Sequence, residues 1–211
     1  MAAALLRRER ELPESARAHA LRIDHAARRM AEMIGTLLDF AQARFRGALP
    51  VSPLPANLAE IARETVEELR AGWPGRQIGV ELRGDPMGQW DPPRVAQVIS
   101  NLVANALTHG AEGAPVQVLI DGDRAEARLT VHNTGPVIPS TVIPTLFEPF
   151  RRGPEQHRAH GVGLGLYIAS QIVQAHDGSI EVLSTPSDGT RFTVHLPRTV
   201  SREHHAAPRA S

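Results

Sequence analysis

Apolar residues recur with different periods along this chain, and each change of period marks a change of element. Between Pro13 and Gly47 no proline intervenes, and Leu21, Ile23, Ala27, Met30, Ile34, Leu37, Leu38 and Ala41 step mostly by three and four. Arg17, Arg22, Arg28, Arg29, Glu32 and Arg44 take the opposite face. This pattern predicts one long amphipathic helix over residues 14–46, with a proline ahead of it and a glycine just beyond. Nothing local can bury its stripe, so a helical hairpin or a dimeric bundle is expected. The short stretch from Ala2 to Arg10 reads as the last turns of a partner helix.

Three prolines between Gly47 and Pro55 break the helical period and predict a linker. Beyond it the pattern is that of a mixed domain. A helix is expected over 57–72 with Asn57 as its N-cap, strands over 77–83 and 87–90, and a helix over 92–107. Strands over 116–120 and 125–132 flank the turn signal Asp121-Gly122-Asp123. A helix over 163–176 follows, then strands over 179–184 and 191–196 joined across Pro186-Ser187-Asp188-Gly189. Helices gathered on one face of a mostly antiparallel sheet make an α+β sandwich. The expected divisions are a partial helical hairpin over 1–46, a linker over 47–55, a catalytic-type domain over 56–198 and a frayed tail over 199–211.

Composition narrows the function classes. The 211 residues carry 23 Lys+Arg against 23 Asp+Glu, a net charge of zero, which argues against a polyanion-binding protein and so against a nucleic-acid partner. There is no cysteine, which excludes disulfides and thiolate metal sites. No apolar run approaches the ~20 residues of a membrane span. Met1-Ala2-Ala3-Ala4-Leu5-Leu6 is cut off by Arg7-Arg8, too short for a secretory core, so a cytoplasmic protein is expected.

The candidate chemistry lies on three segments. Gly161-Val162-Gly163-Leu164-Gly165-Leu166 ends a polar stretch and runs into an apolar-periodic helix. Such a junction offers unpaired backbone N–H groups at the positive end of a helix dipole, a natural seat for phosphate; a mobile hinge or tight helix–sheet packing would use the same glycines. A dinucleotide fingerprint fits poorly, because the third glycine comes one place early and no strand precedes directly. Asn101 and Asn105, four apart on an otherwise apolar helix, put two neutral amide oxygens on one face, suited to Mg²⁺ together with phosphate oxygens or to a pair of interhelical hydrogen bonds. Asn133-Thr134-Gly135 ends a strand and opens the long irregular stretch to Gly161, the usual form of a binding loop, in which Phe147-Glu148-Pro149-Phe150 is a candidate apolar anchor.

Taken in order, Asn101-Leu-Val-Ala-Asn105, Asn133-Thr-Gly135, Phe147-Glu-Pro-Phe150, Gly161-Val-Gly-Leu-Gly165 and Gly189-Thr190 resemble the N, G1, F, G2 and G3 boxes of the sensor histidine kinases. Arg28-Arg-Met-Ala-Glu-Met-Ile-Gly-Thr-Leu-Leu-Asp-Phe-Ala41 likewise resembles the second helix of that family's dimerisation hairpin. The resemblance implies a Bergerat-type ATP-binding sandwich on a dimeric helical stalk, binding ATP and Mg²⁺ and acting with a response regulator. Carried over, it makes Asn105 the Mg²⁺ ligand and Asn101 its helper near the phosphates. Asn133 becomes the reader of the adenine amino group, with Gly135 allowing close approach and Thr190 beneath the base. Gly161, Val162, Gly163, Leu164, Gly165 and Leu166 line the triphosphate, with Arg151, Arg152 and His109 beside it.

Two departures matter. The base-reading residue of the family is usually Asp, and Asn133 keeps the acceptor oxygen without the charge, which predicts weaker ATP binding. Asn101 stands where ATP-hydrolysing relatives of the fold carry a Glu that activates water, and an amide cannot take that proton. Transfer rather than hydrolysis is therefore expected. The family's phosphoacceptor histidine, followed by an acidic residue, has no counterpart, since His19 and His25 are each followed by alanine. The phosphoacceptor helix is therefore expected to be supplied elsewhere, with a homodimer formed through the stalk. The alternative is a non-enzymatic ATP-binding or dimerising module that regulates a partner kinase or response regulator.

Overall fold

The computed structural model describes residues 14–123, 125–151 and 163–199. A long helix α1 (Glu14–Arg46) leads into strand β1 (Leu54–Asn57) and helix α2 (Leu58–Gly72). Strands β2 (Ile78–Gly84) and β3 (Met87–Trp90) precede helix α3 (Pro92–His109). Strands β4 (Val116–Gly122) and β5 (Glu126–Asn133) form a hairpin, and a single 3₁₀ turn, Ile143–Thr145, lies in the loop after it. Helix α4 (Gly165–Ala175) and the hairpin of β6 (Ser179–Thr185) and β7 (Gly189–Pro197) complete the domain.

The main sheet has the order β2-β4-β5-β7-β6. Only the β2–β4 pair is parallel; the other three are antiparallel. Alternation along the strands sorts the two faces. Val116, Val118 and Ile120 of β4, Ala127, Leu129 and Val131 of β5, and Phe192, Val194 and Leu196 of β7 are all buried against α2, α3 and α4. Each Leu or Ile withdrawn from water in this layer contributes about 1.5–3 kcal/mol before chain entropy is counted. The helices segregate to this face, so the architecture is the expected α+β sandwich with a mixed, mostly antiparallel sheet.

Capping explains where two helices start. The Asn57 side chain accepts from the Ala59 and Glu60 amides at 3.0 and 3.2 Å, and Asp91 accepts from Arg94 N–H at 3.2 Å with Pro92-Pro93 in the first turn. The same Asp91 carboxylate takes Ser52 N–H at 2.8 Å, tying the linker to α3. The Asp91 amide in turn donates to Nε2 of His176 at 3.0 Å, and the other imidazole nitrogen of this fully buried histidine lies 2.8 Å from the Ile172 carbonyl.

One expectation needs correction. The linker over 47–55 is not wholly irregular, because its last two residues begin β1, which pairs antiparallel with β3 in a separate two-stranded sheet. Prolines hid this strand; Pro55 lies on a short two-stranded edge, where a missing N–H is tolerated. The apolar stripe of α1 is not buried within the described residues: Ile23, Met30, Ile34 and Leu38 remain 63%, 59%, 58% and 58% exposed. Among the described residues, the C-terminal end of α1 meets the domain through Asp39, Phe40 and Ala43. The expected helix end at Ala2–Arg10 and the tail beyond Thr199 lie outside the described residues.

Candidate functional site

The site is built between the helix layer and the end of the sheet where β5 stops. Asn133, the last residue of β5, pairs in register with Thr190 of β7, so both side chains project to the helix face. Both are buried, at 5% and 4% exposure. Thr190 Oγ1 lies 2.8 Å from Ser184 Oγ on β6, and that hydroxyl accepts the Ile138 amide at 2.9 Å. The Asn133 amide nitrogen donates to the Thr134 carbonyl at 3.1 Å. This bond fixes the flip of the amide and turns Oδ1 away as an acceptor. Gly135, at φ +145, follows immediately; a Cβ there would stand 2.7 Å from the Ala111 amide nitrogen, so only glycine lets this loop lie against the end of α3.

Gly110, just past the end of α3, lies beside Asn133, and earlier on that helix Asn101 and Asn105 share one face. Both are partly exposed, and neither amide hydrogen-bonds to a described residue. Each is a poor helix former, and both amides are accessible to water, which a ligand could replace. Asn101 lies beside the start of α4: a Cβ on Gly165 would come within 3.3 Å of Asn101 Oδ1. Helix α4 begins without a side-chain cap, so its first N–H groups await acceptors. The Asn101 amide oxygen thus meets a helix N-terminus, with Asn105 one turn further along the same face of α3; amide oxygens suit a hard cation, and the helix N-terminus suits the anion that cation would bring. Among the described residues there is no cluster of three His, Cys, Asp or Glu side chains that would hold a metal alone.

The remaining expected site residues fall in several places. Gly163 closes the base of the loop, with its carbonyl accepting Phe150 N–H at 2.9 Å, at φ +74. Leu164 is buried at 1% exposure and Leu166 packs against the core, so each offers a ligand its backbone only. Arg151 Nε donates to Glu148 Oε2 at 2.9 Å, in an exposed pair. His109, the last residue of α3, has its pKa lowered by partial burial. Arg152, Gly161 and Val162 lie outside the described residues, as does His160. Two surface cavities, of about 420 and 350 Å³, lie elsewhere, one beside Arg70 and Gln117 and the other beside Asn57 and Met87.

Of a second group, sequence reasoning singled out Phe150 as an apolar anchor and missed the rest. Asp39, 8% exposed, accepts from Arg94 Nη1 and Gln97 Nε2, both at 2.7 Å. Phe150 packs edge-on against Phe40, with ring centroids 5.1 Å apart, and Phe40 meets Tyr167 in the first turn of α4 at 5.6 Å. A carboxylate standing alone in Leu37-Leu38-Asp39-Phe40 was the available signal.

Known proteins resemble this chain in sequence and fold. Residues 90–200 match the family model described as histidine kinase-, DNA gyrase B- and HSP90-like ATPase. The chain is 33% identical over 93% of its length to a bacteriophytochrome of Pseudomonas aeruginosa, and 32% identical over 91% to the probable sensor histidine kinase TcrY of Mycobacterium tuberculosis. It spans 27% and 41% of those two proteins. Among solved structures, the catalytic domain of histidine kinase ThkA superposes with a TM-score of 0.60 at 27% identity, covering 70% of this chain and 97% of that one. Among the described residues no helix is long and apolar enough to cross a membrane.

Proposed function

We propose, from the premise that this chain belongs to the histidine kinase-, DNA gyrase B- and HSP90-like ATPase family and carries the ATP-binding catalytic portion of a sensor histidine kinase, that it holds Mg-ATP for transfer of the γ-phosphoryl group to a histidine on another helix. The observation that supports this reading is the placement of Asn101 beside the uncapped start of α4, with Asn105 one turn on along the same face of α3 and Gly110, just past the end of that helix, beside the buried Asn133.

Asn133 Oδ1 accepts from the adenine amino group while its Nδ2–H stays on Thr134, and Thr190 walls the base from the sheet side. Gly135 keeps the loop low enough for the base to approach. Asn105 contributes an amide oxygen to Mg²⁺, and Asn101 steadies the phosphate oxygens beside Gly165. The backbone N–H groups at the start of α4 take the negative charge of the phosphates. Bound Mg-ATP supplies the phosphoryl group with its charge partly neutralised, and the protein supplies mostly position and fixed dipoles, as phosphoryl transfer requires. With an amide at position 101, the chain has no carboxylate at that place to activate water.

On this reading the chain comprises a stalk portion over 1–46, a linker over 47–55 and the catalytic domain over 56–198. The exposed stripe of α1 supports a homodimer through the stalk, and a response regulator is the downstream partner in a cytoplasmic two-component pathway.

The test supplies a separate dimerisation stalk bearing a phosphoacceptor histidine, together with [γ-³²P]ATP and Mg²⁺. Label transferred to that histidine, and lost with Asn105→Ala, is the expected result. ATP binding without transfer would favour a non-enzymatic regulatory module, and no ATP binding would overturn both readings.

A further inference from the structure

On one side the main sheet ends at β2, and that edge is open. The Val116 amide donates to the Gln77 carbonyl at 2.9 Å, so Gly79, Glu81 and Arg83 turn their backbone groups toward β4. Ile78, Val80, Leu82 and Gly84 therefore turn theirs outward. Among the described residues only the Ile78 carbonyl finds a partner on this edge, the Arg70 guanidinium. Past Gly84 the chain leaves through Pro86, which has no N–H and whose carbonyl accepts the Leu58 amide at 2.9 Å. The free edge is thus Val80-Glu81-Leu82-Arg83-Gly84. Val80 packs against the core, and Leu82, on the same face, is 37% exposed. Glu81 and Arg83 lie on the opposite face, paired with each other at 2.9 Å.

These five residues are complementary to themselves. When two copies lie antiparallel about a two-fold axis at Leu82, Glu81 of each comes opposite Arg83 of the other. Leu82 meets Leu82, and Val80 meets a glycine that leaves it room. The outward groups at 80, 82 and 84 then exchange hydrogen bonds in pairs. Moving the axis to position 81 or 83 sets Glu against Glu or Arg against Arg. Charges on an edge strand ordinarily guard it against strand addition, and here they do so in the neighbouring registers but not in this one. Ile78 would face Pro86, so the pairing stops where the free groups stop. We propose that the β2 edge is a self-association surface, to which a second copy of this chain adds its own β2 so that the two sheets become continuous. Five residues a side bury far less than the ~1,000 Å² of a stable interface, which makes the contact weak and reversible. Strand β4 separates this edge from β5, so the contact stands apart from the Asn133–Thr190 pair and does not depend on the nucleotide reading.

The chain has no cysteine, so Leu82→Cys carries a single thiol at the two-fold axis. Facing Cα atoms about 5.5 Å apart there suit a disulfide. Under mild oxidation the whole chain with Leu82→Cys is expected to cross-link faster than one with Ser179→Cys, an exposed position on the opposite edge strand β6. Adding Glu81→Arg or Arg83→Glu alone is expected to slow the Leu82→Cys cross-link about tenfold, since each sets like charges opposite twice. Adding both together swaps the charges and restores the rate. Sedimentation at high concentration, on chains without the introduced cysteine, should rank the single reversals below both the unchanged chain and the double swap. Melting curves check that each variant folds. Cross-linking no faster at 82 than at 179, single reversals without effect, or a double swap as slow as the singles would each overturn the proposal.

Discussion

At one end of the site, Asn133 and Thr190 lie side by side on neighbouring strands, buried and hydrogen-bonded within the protein. At the other, Asn101 and Asn105 stand half-exposed on a helix, and neither amide has a partner among the described residues. The same residue type serves both ends under opposite conditions. A flat, uncharged base needs a pre-formed wall whose own polar groups are satisfied, because any unmet donor there would cost the folded state. A hydrated cation with several phosphate oxygens needs ligands left unpaired until it arrives. On the proposed reading the buried end is made by folding, and the exposed end would be completed by binding.

That contrast is most open to attack at Asn105. Asn105→Ala is expected to weaken Mg-ATP by on the order of 10- to 100-fold, the worth of a bond to a charged group, with the melting temperature unmoved. Displacement of a fluorescent ATP analogue and a thermal melt would measure both. A large drop in stability would show that Asn105 belongs to the core after all.

The converse holds at the buried end. Gly135→Ala puts a Cβ 2.7 Å from the Ala111 amide nitrogen on a backbone at φ +145, so a loss of roughly 2 kcal/mol of folding stability is expected. Urea denaturation would read it. A neutral result would mean that this loop is free to move and that the base wall is not pre-formed.

Asn133→Asp separates binding from stability within one residue. The carboxylate accepts more strongly from the adenine amino group, so ATP affinity should rise about fivefold. The same change removes the donor to Thr134 and sets a charge against that carbonyl, costing the fold roughly 1 kcal/mol. Calorimetric titration alongside denaturation would show the two moving in opposite senses.

The smallest expected effect is at His109. Burial lowers its pKa below the usual 6.5, so the folded state takes up the proton less readily than the unfolded chain. Its contribution to stability is present above the unfolded value and is lost as pH falls through the window beneath it. A shallow decline in melting temperature below about pH 6.5 that flattens in His109→Gln is the expected record.

Much of this was legible in the chain. The periods located α1, α3 and the paired strands, and the residues that converge on the site all carry side chains or glycines that stand out locally. What could not be read depends on distant pairing. The parallel β2–β4 register, the β1–β3 pair and the grip of Asp39 on Arg94 join segments with no local trace of each other. His176 carried no signal because its role is to fill a buried gap between α4 and the Asp91 cap. The exposed stripe of α1 was legible as a stripe, though its partner is not among the described residues.

The central claim is that the two ends of the site are separable, one for the base and one for the phosphates. It is tested most directly by following side-chain and backbone amide resonances while the protein is titrated with adenosine and, separately, with Mg-ATP. The Asn133 side chain should shift with both ligands, and Asn101, Asn105, Gly165 and Leu166 with Mg-ATP alone. Adenosine moving the asparagine pair on α3, or Mg-ATP leaving it still, would contradict the account.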